Sequence, residues 1–161
     1  MKNLIIYYSL DGNTELIASL IASKIEAATI RIQPVKEIPT KGFMKYFWGG
    51  KSVVFNEKPK IVYPIINVND FDQIFIGTPV WNNSYAPPLA TFLYENKIEN
   101  KNIILFACHG GGGAKKTFER LSNLLQNNHI VHTMEFKDPI LQNRDEVINQ
   151  FNISIEKSET K

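Results

Sequence analysis

Three runs that are apolar at every position constrain the fold of this chain more than any other feature. They lie at residues 4–8 (Leu4, Ile5, Ile6, Tyr7, Tyr8), within 71–77 (Ile74, Phe75, Ile76) and at 103–107 (Ile103, Ile104, Leu105, Phe106, Ala107). A strand with one face in water alternates apolar and polar side chains. A strand without alternation needs apolar cover on both faces, which is the condition of a parallel sheet sandwiched between helices. Helical stripes separate the runs. Leu16, Ile17, Leu20, Ile21 and Ile25 share one helical face, and Pro87 and Pro88 suit the first turn of a helix continued by Leu89, Phe92 and Leu93. Phe118, Leu121, Leu124 and Leu125 form another stripe. Asn143, with Glu146 three residues later, predicts the cap of a last helix carrying Val147, Ile148, Phe151 and Ile155.

Two further segments alternate, at residues 29–33 and 130–136, so they suit half-exposed edge strands. In chain order the edges are then the second and fifth strands. The expectation is an α/β fold with a doubly wound, five-stranded parallel sheet in the order 2-1-3-4-5, covered by helices as a three-layer sandwich. A length of 161 residues suits one domain over 1–161. The connection over 35–62 is long, aromatic and basic, containing Lys41, Phe43, Lys45, Tyr46, Phe47 and Trp48. It predicts a short helix near 42–48, and either cover for a sheet flank or a wall of a ligand site.

In such a sheet, ligands bind beyond the carboxyl ends of the strands where the strand order reverses. Three unusual loops leave strands one, three and four at that rim. The first is Ser9, Leu10, Asp11, Gly12, Asn13 and Thr14, which combines side-chain donors, a glycine and the start of a helix whose free amides and dipole favour a phosphate. The second contains Thr78, Pro79, Val80, Trp81, Asn82, Asn83 and Ser84, in which Trp81 offers a stacking face and the asparagines offer polar contacts. The third is Cys108, His109, Gly110, Gly111, Gly112 and Gly113; four successive glycines cost stability unless backbone must approach something closely. A phosphorylated, flat, polar ring system satisfies all three.

The motifs SLDGNT, GTPVWNNSYAPPL and CHGGGG resemble those of the flavodoxin family, in the form of its short members, and the likeness extends over about residues 2–155. The resemblance implies non-covalent FMN. It implies that Ser9, Asp11, Gly12, Asn13 and Thr14, together with Leu10, surround the phosphate. Thr78, Pro79, Val80, Trp81 and Asn82 would flank the ribityl chain and ring, while Cys108, His109, Gly110, Gly111, Gly112 and Gly113 would supply the ring's polar edge. It implies electron transfer with a redox partner protein, or with a nicotinamide or quinone. NAD(P)H-dependent quinone or flavin reduction is the alternative, a non-catalytic FMN-binding interaction protein a second, and a homodimer stays open. Electron-carrier members are strongly acidic, whereas this chain has 18 Lys and Arg against 16 Asp and Glu. They also commonly place an aromatic on the fourth-strand loop, where this chain has His109 and glycines. One ring face would then be open, or covered by Phe47, Trp48 or a partner subunit; an open face favours hydride exchange with a nicotinamide or quinone over outer-sphere electron transfer.

Other classes fit less well. A phosphatase of the related low-molecular-weight type needs arginine where this chain has Ala114. His129 and His132 have no partners at metal-ligand spacing, so no metal is expected. The first loop is not the G-x-G-x-x-G of a dinucleotide fold, and Asp11 alone does not make an acidic receiver pocket. A net charge of +2 does not call for nucleic acid. No apolar run reaches about 18 residues, the N-terminus lacks the marks of a signal peptide, and one cysteine suits a reducing compartment. These features predict a cytoplasmic protein with no membrane association.

Overall fold

A computed structural model describes residues 1–36 and 58–159. Its main sheet holds β1 (Asn3–Tyr7), β2 (Ala27–Arg31), β5 (Gln73–Pro79), β6 (Asn102–His109) and β7 (His129–Lys137). A small second sheet pairs β3 (Gln33–Pro34) with β4 (Ile61–Val62). The helices are α1 (Asn13–Lys24), α2 (Pro87–Glu95), α3 (Ala114–Leu124) and α4 (Arg144–Glu159). The main sheet is parallel throughout, in the order β2-β1-β5-β6-β7. Counting those five strands alone, this is the expected 2-1-3-4-5.

Both faces of the central strands are covered, as their lack of alternation requires. Ile5, Tyr7, Phe75, Ile104 and Phe106 pack with Ile17, Ala18 and Ile21 of α1 and Val147 and Phe151 of α4. Leu4, Ile6, Ile74, Ile76, Ile103 and Leu105 pack with Leu89, Phe92 and Leu93 of α2 and Leu121 of α3. Phe75, Phe92, Phe106 and Phe151 are among the largest fully buried side chains. Burial of each contributes about 1.5–3 kcal/mol relative to exposure. On α1 the apolar stripe is narrower than its sequence suggests: Ile17 and Ile21 are buried, Leu16 and Leu20 are half-buried, and Ile25 is the extended residue that ends the helix. The last helix starts as expected, with the Asp145 amide donating to Asn143 Oδ1 at 2.8 Å.

The second strand lies two residues earlier than the alternation at 29–33 predicts. Its partner β1 runs out at Tyr7, which pairs with Arg31. Only the Ile32 amide reaches further, to the Tyr7 carbonyl at 2.8 Å. The chain then turns into β3, and the 35–62 connection returns antiparallel through β4, with the Val35 amide bonded to the Lys60 carbonyl at 2.8 Å. The body of that connection, including the expected helix near 42–48 and the side chains of Phe47 and Trp48, lies outside the described residues. On the other edge, β7 carries an irregularity opposite Ile103 and Ile104. Such a bulge twists an exposed edge away from flat pairing with another strand.

Candidate functional site

The carboxyl ends of β1, β5, β6 and β7 bound one cleft of about 840 Å³. Its walls are Asp11 and Asn13 from the first loop, Val80, Asn82 and Asn83 from the second, Gly110, Gly111, Gly112 and Gly113 from the third, and Asp138, Ile140 and Leu141 from the turn after β7. The three loops singled out in the sequence therefore meet. The fourth contributor was missed. A signal for it was present, because Asp138-Pro139 follows the last strand and the order of the sheet puts that strand's exit on the same rim.

The first loop is built to hold amides together. Gly12 precedes α1 in the left-handed region, at φ 91°. Its carbonyl accepts the first helical bond, from the Leu16 amide at 2.9 Å. The amides of Gly12 and Glu15 both donate to Ser9 Oγ, each at 3.2 Å. These two bonds fold the first loop onto the start of α1. Asp11 Oδ1 accepts from Asn13 Nδ2 at 3.1 Å. Asn13 Oδ1 in turn accepts from the Ile140 amide at 3.0 Å, which ties the turn after β7 to the first loop. That turn lies close: a Cβ on Gly12 would stand 3.0 Å from Ile140 Cδ1. Leu10 packs against the core.

Thr14 lies in the first turn of α1 and is 1% exposed, and its Oγ1 is buried with no hydrogen-bond partner. The hydroxyl interacts with the Cys108 thiol closely enough to oppose that group's raised pKa. A thiol is a weak partner in either direction, and no bond of ordinary geometry reaches Oγ1, so the hydroxyl is effectively unsatisfied.

The second loop is a tight hairpin. Trp81 and Ser84 exchange both backbone bonds, at 2.8 and 2.9 Å, around Asn82 and Asn83 at φ 46° and 58°. Positive φ at both central residues is the two-residue turn that matches strand twist, and asparagine tolerates that region better than other non-glycine residues. Thr78 is fully buried, and its Oγ1 accepts the Ala86 amide at 3.0 Å and donates to the Pro79 carbonyl at 2.9 Å. It thus closes the loop onto the start of α2. The Trp81 indole meets Tyr8 edge to face, with centroids 5.7 Å apart at 88°. It packs against the core and does not line the cleft.

In the third loop Gly112 and Gly113 have φ of 108° and 90°. Gly113 cannot carry a side chain without a clash, since its Cβ would lie 2.7 Å from Asn83 Oδ1 and 3.0 Å from Val80 Cγ1. The second and third loops touch there. The Val80 amide also donates to the Cys108 carbonyl, at 2.8 Å.

Of the residues expected at the site, Asp11, Asn13, Val80, Asn82 and the four glycines line the cleft. Ser9, Leu10, Gly12, Thr14, Thr78, Pro79, Trp81, Cys108 and His109 belong to the same loops and strand ends but do not form its wall. Among the described residues no group of His, Cys, Asp and Glu is placed to hold a metal ion. Among the described residues the charged side chains on the wall are Asp11 and Asp138, both acidic.

Cys108 is 3% exposed. Burial first, and then the carboxylates of Asp11 and Asp138, push its thiol up to about 12, against the opposing pull of Thr14. An unfolded thiol releases its proton near pH 8.5, whereas the folded one keeps it until about 12. Between those values the native state binds the extra proton, so this group's contribution to stability falls as pH rises through that window. Thiolate is the reactive form. We therefore expect Cys108 to resist iodoacetamide at pH 8 in native conditions and to react only as urea unfolds the chain. Alkylation ahead of unfolding, followed by mass spectrometry, would contradict this environment.

A family model described as flavodoxin matches residues 2–149. The chain belongs to the flavodoxin family. Among solved structures it is similar to a flavoprotein from Lactobacillus acidophilus in complex with FMN, at 22% identity, TM-score 0.74, and coverage of 86% of this chain and 95% of that one. It is similar to a protein described as a flavoprotein from Bacteroides uniformis, at 20% identity, TM-score 0.79, and coverage of 94% and 97%. Against oxidised flavodoxin 2 from Bacillus cereus the identity is 20% and the TM-score 0.55, with both chains covered completely. At these identities the likeness of the structures concerns the fold. Within this family member, the fold puts the cleft at the point where the strand order reverses between β1 and β5. No helix of the described residues is long and apolar enough to cross a membrane.

Proposed function

We propose that this flavodoxin-family chain binds FMN in the cleft and serves in electron transfer. The observation that carries the reading is the meeting of the three loops, with the unsatisfied Thr14 hydroxyl in the first turn of α1 behind the converging amides of the first loop. A buried hydroxyl without a partner costs about 1–3 kcal/mol, and a phosphate oxygen received at that loop would satisfy it. The similar flavoprotein from Lactobacillus acidophilus, whose complex holds FMN, supports the same assignment. Among the described residues the charged side chains on the cleft wall are acidic, so there the phosphate is held by backbone amides, hydroxyls and the helix dipole.

FMN supplies reversible one- and two-electron chemistry when bound. The chain's part is to bind and bias it. The glycine loop presents amides to the polar edge of the ring, and Asp11 and Asp138 make an acidic surrounding that opposes added negative charge. Val80, Ile140 and Leu141 give the wall its apolar surface. The electron donor or acceptor is a redox protein docking at the rim, or a nicotinamide or quinone. The second is the reading in which a ring face is left open to hydride exchange; among the described residues the side chains lining the cleft include no aromatic one. Steady-state turnover of NADPH with a quinone separates reductase from carrier.

Titration of the purified chain with FMN should reach close to one per chain, yield a yellow protein, and show tighter binding of FMN than of riboflavin. Binding of neither flavin would end this reading.

A further inference from the structure

His109 ends β6, immediately before the glycines that line the cleft. Its backbone carbonyl accepts the Asp138 amide at 2.9 Å, which fixes the end of β6 to the exit of β7. Its side chain is 12% exposed and turns forward, and Nδ1 accepts the Gly112 amide at 2.9 Å. A backbone N–H can only donate, so Nδ1 must hold a lone pair, and the neutral ring carries its proton on Nε2. A Cβ at Gly111 or Gly112 would meet no atom within 4 Å, and the His109 bond is the one side-chain hydrogen bond to Gly110, Gly111 or Gly112 among the described residues. Gly112 also sits at φ 108°, in a backbone region that many glycine conformers compete with.

We propose that His109 is a positioning residue whose unprotonated Nδ1 pins the Gly112 amide, so that protonation of His109 loosens the glycine loop and weakens flavin binding. Its affinity half rests on the flavin reading above. An imidazolium presents a donor at both nitrogens, and a donor facing the Gly112 N–H repels it. The charged groups around the ring come from each neighbouring element. Glu135 on β7 stands 4.0 Å from Nε2, longer than a hydrogen bond and 63% exposed, so its attraction for an imidazolium is screened. Lys137 pairs with His109 in register, Asp138 and Asp11 stand on the cleft wall, and Lys115 and Lys116 open α3 just beyond the loop.

Two measurements test this. In the flavin-free protein, nitrogen-15 NMR of the His109 ring at pH 8 should find the proton on Nε2, and the Gly112 amide resonance should move as His109 titrates. A proton on Nδ1, or a Gly112 amide indifferent to that titration, would overturn the pin. Affinities for FMN and riboflavin are then compared at pH 8 and pH 5.5, riboflavin serving because the FMN phosphate itself takes up a proton in this range. In the wild type the riboflavin dissociation constant should rise about three- to tenfold on acidification, the loss of one neutral hydrogen bond. In His109→Asn the side-chain oxygen replaces the Nδ1 acceptor and does not titrate, so affinity should be rescued relative to His109→Phe and the rise should disappear. The same rise in His109→Asn would assign the acid sensitivity to another group and overturn the proposal. Failure of the wild type to bind either flavin would overturn the affinity half together with the flavin reading, while the NMR result still judges the pin by itself.

Discussion

Thr14→Val is expected to weaken FMN binding about tenfold to a hundredfold without harming the fold. Valine has the shape of threonine, and the site it fills is 1% exposed beside the apolar residues of α1. Apart from its weak interaction with the Cys108 thiol, the hydroxyl it removes has no hydrogen-bond partner among the described residues. Its loss should therefore leave the melting temperature of the apoprotein unchanged or raise it, because an unsatisfied buried donor is no longer desolvated. A hydrogen bond to a charged phosphate contributes about 1.5–3 kcal/mol, which gives the stated range of affinity. Riboflavin lacks the phosphate and should bind the variant as it binds the wild type. Equal losses for the two ligands would place Thr14 in loop structure, and a marked drop in apoprotein stability would mean that its hydroxyl is satisfied after all.

Gly77→Ala should have the largest effect on stability. Gly77 on β5 lies directly beside Phe106 on β6, and a Cβ there would stand 2.1 to 2.7 Å from three ring carbons. Phe106 is fully buried in the cluster that also holds Ile5, Tyr7, Phe75 and Phe136. The ring cannot move aside without displacing these neighbours, since interiors are packed to near-crystal density. Overpacking of this kind costs about 1–3 kcal/mol and sometimes more; at about 2–4 °C per kcal/mol for a chain near this size, the melting temperature should fall by roughly 2–12 °C. Phe106→Leu in the same background makes room and should recover part of the loss, as a coupled pair does in a double-mutant cycle. A Gly77→Ala protein that melts with the wild type would show that the sheet yields where the packing says it cannot.

The sequence by itself determined the layers of this protein. Leu4 to Ile6, Ile74 to Ile76 and Ile103 to Phe106 have no polar position to turn toward water, so both faces had to be covered. Alternation at the two remaining strands then left them only the edges. It also determined which loops matter, because the strand order fixes where carboxyl ends gather, and those loops carry residues that a plain turn does not need. The side chains within the loops were decided by tertiary structure. Trp81 is a large aromatic just past a buried strand in either description. Its edge-on contact with Tyr8 arises because Asn82 and Asn83 close a two-residue hairpin that swings the indole against the core. Asp138, Ile140 and Leu141 joined the wall because the Ile140 amide found Asn13 Oδ1 across 127 residues of sequence. The bond between His109 and Gly112 is local, yet its geometry depends on a carbonyl anchored from β7. Periodicity reports which side of an element faces the core, because burial acts on every residue alike. The aim of a single polar side chain is set by one partner, and that partner is known only once the chain has folded.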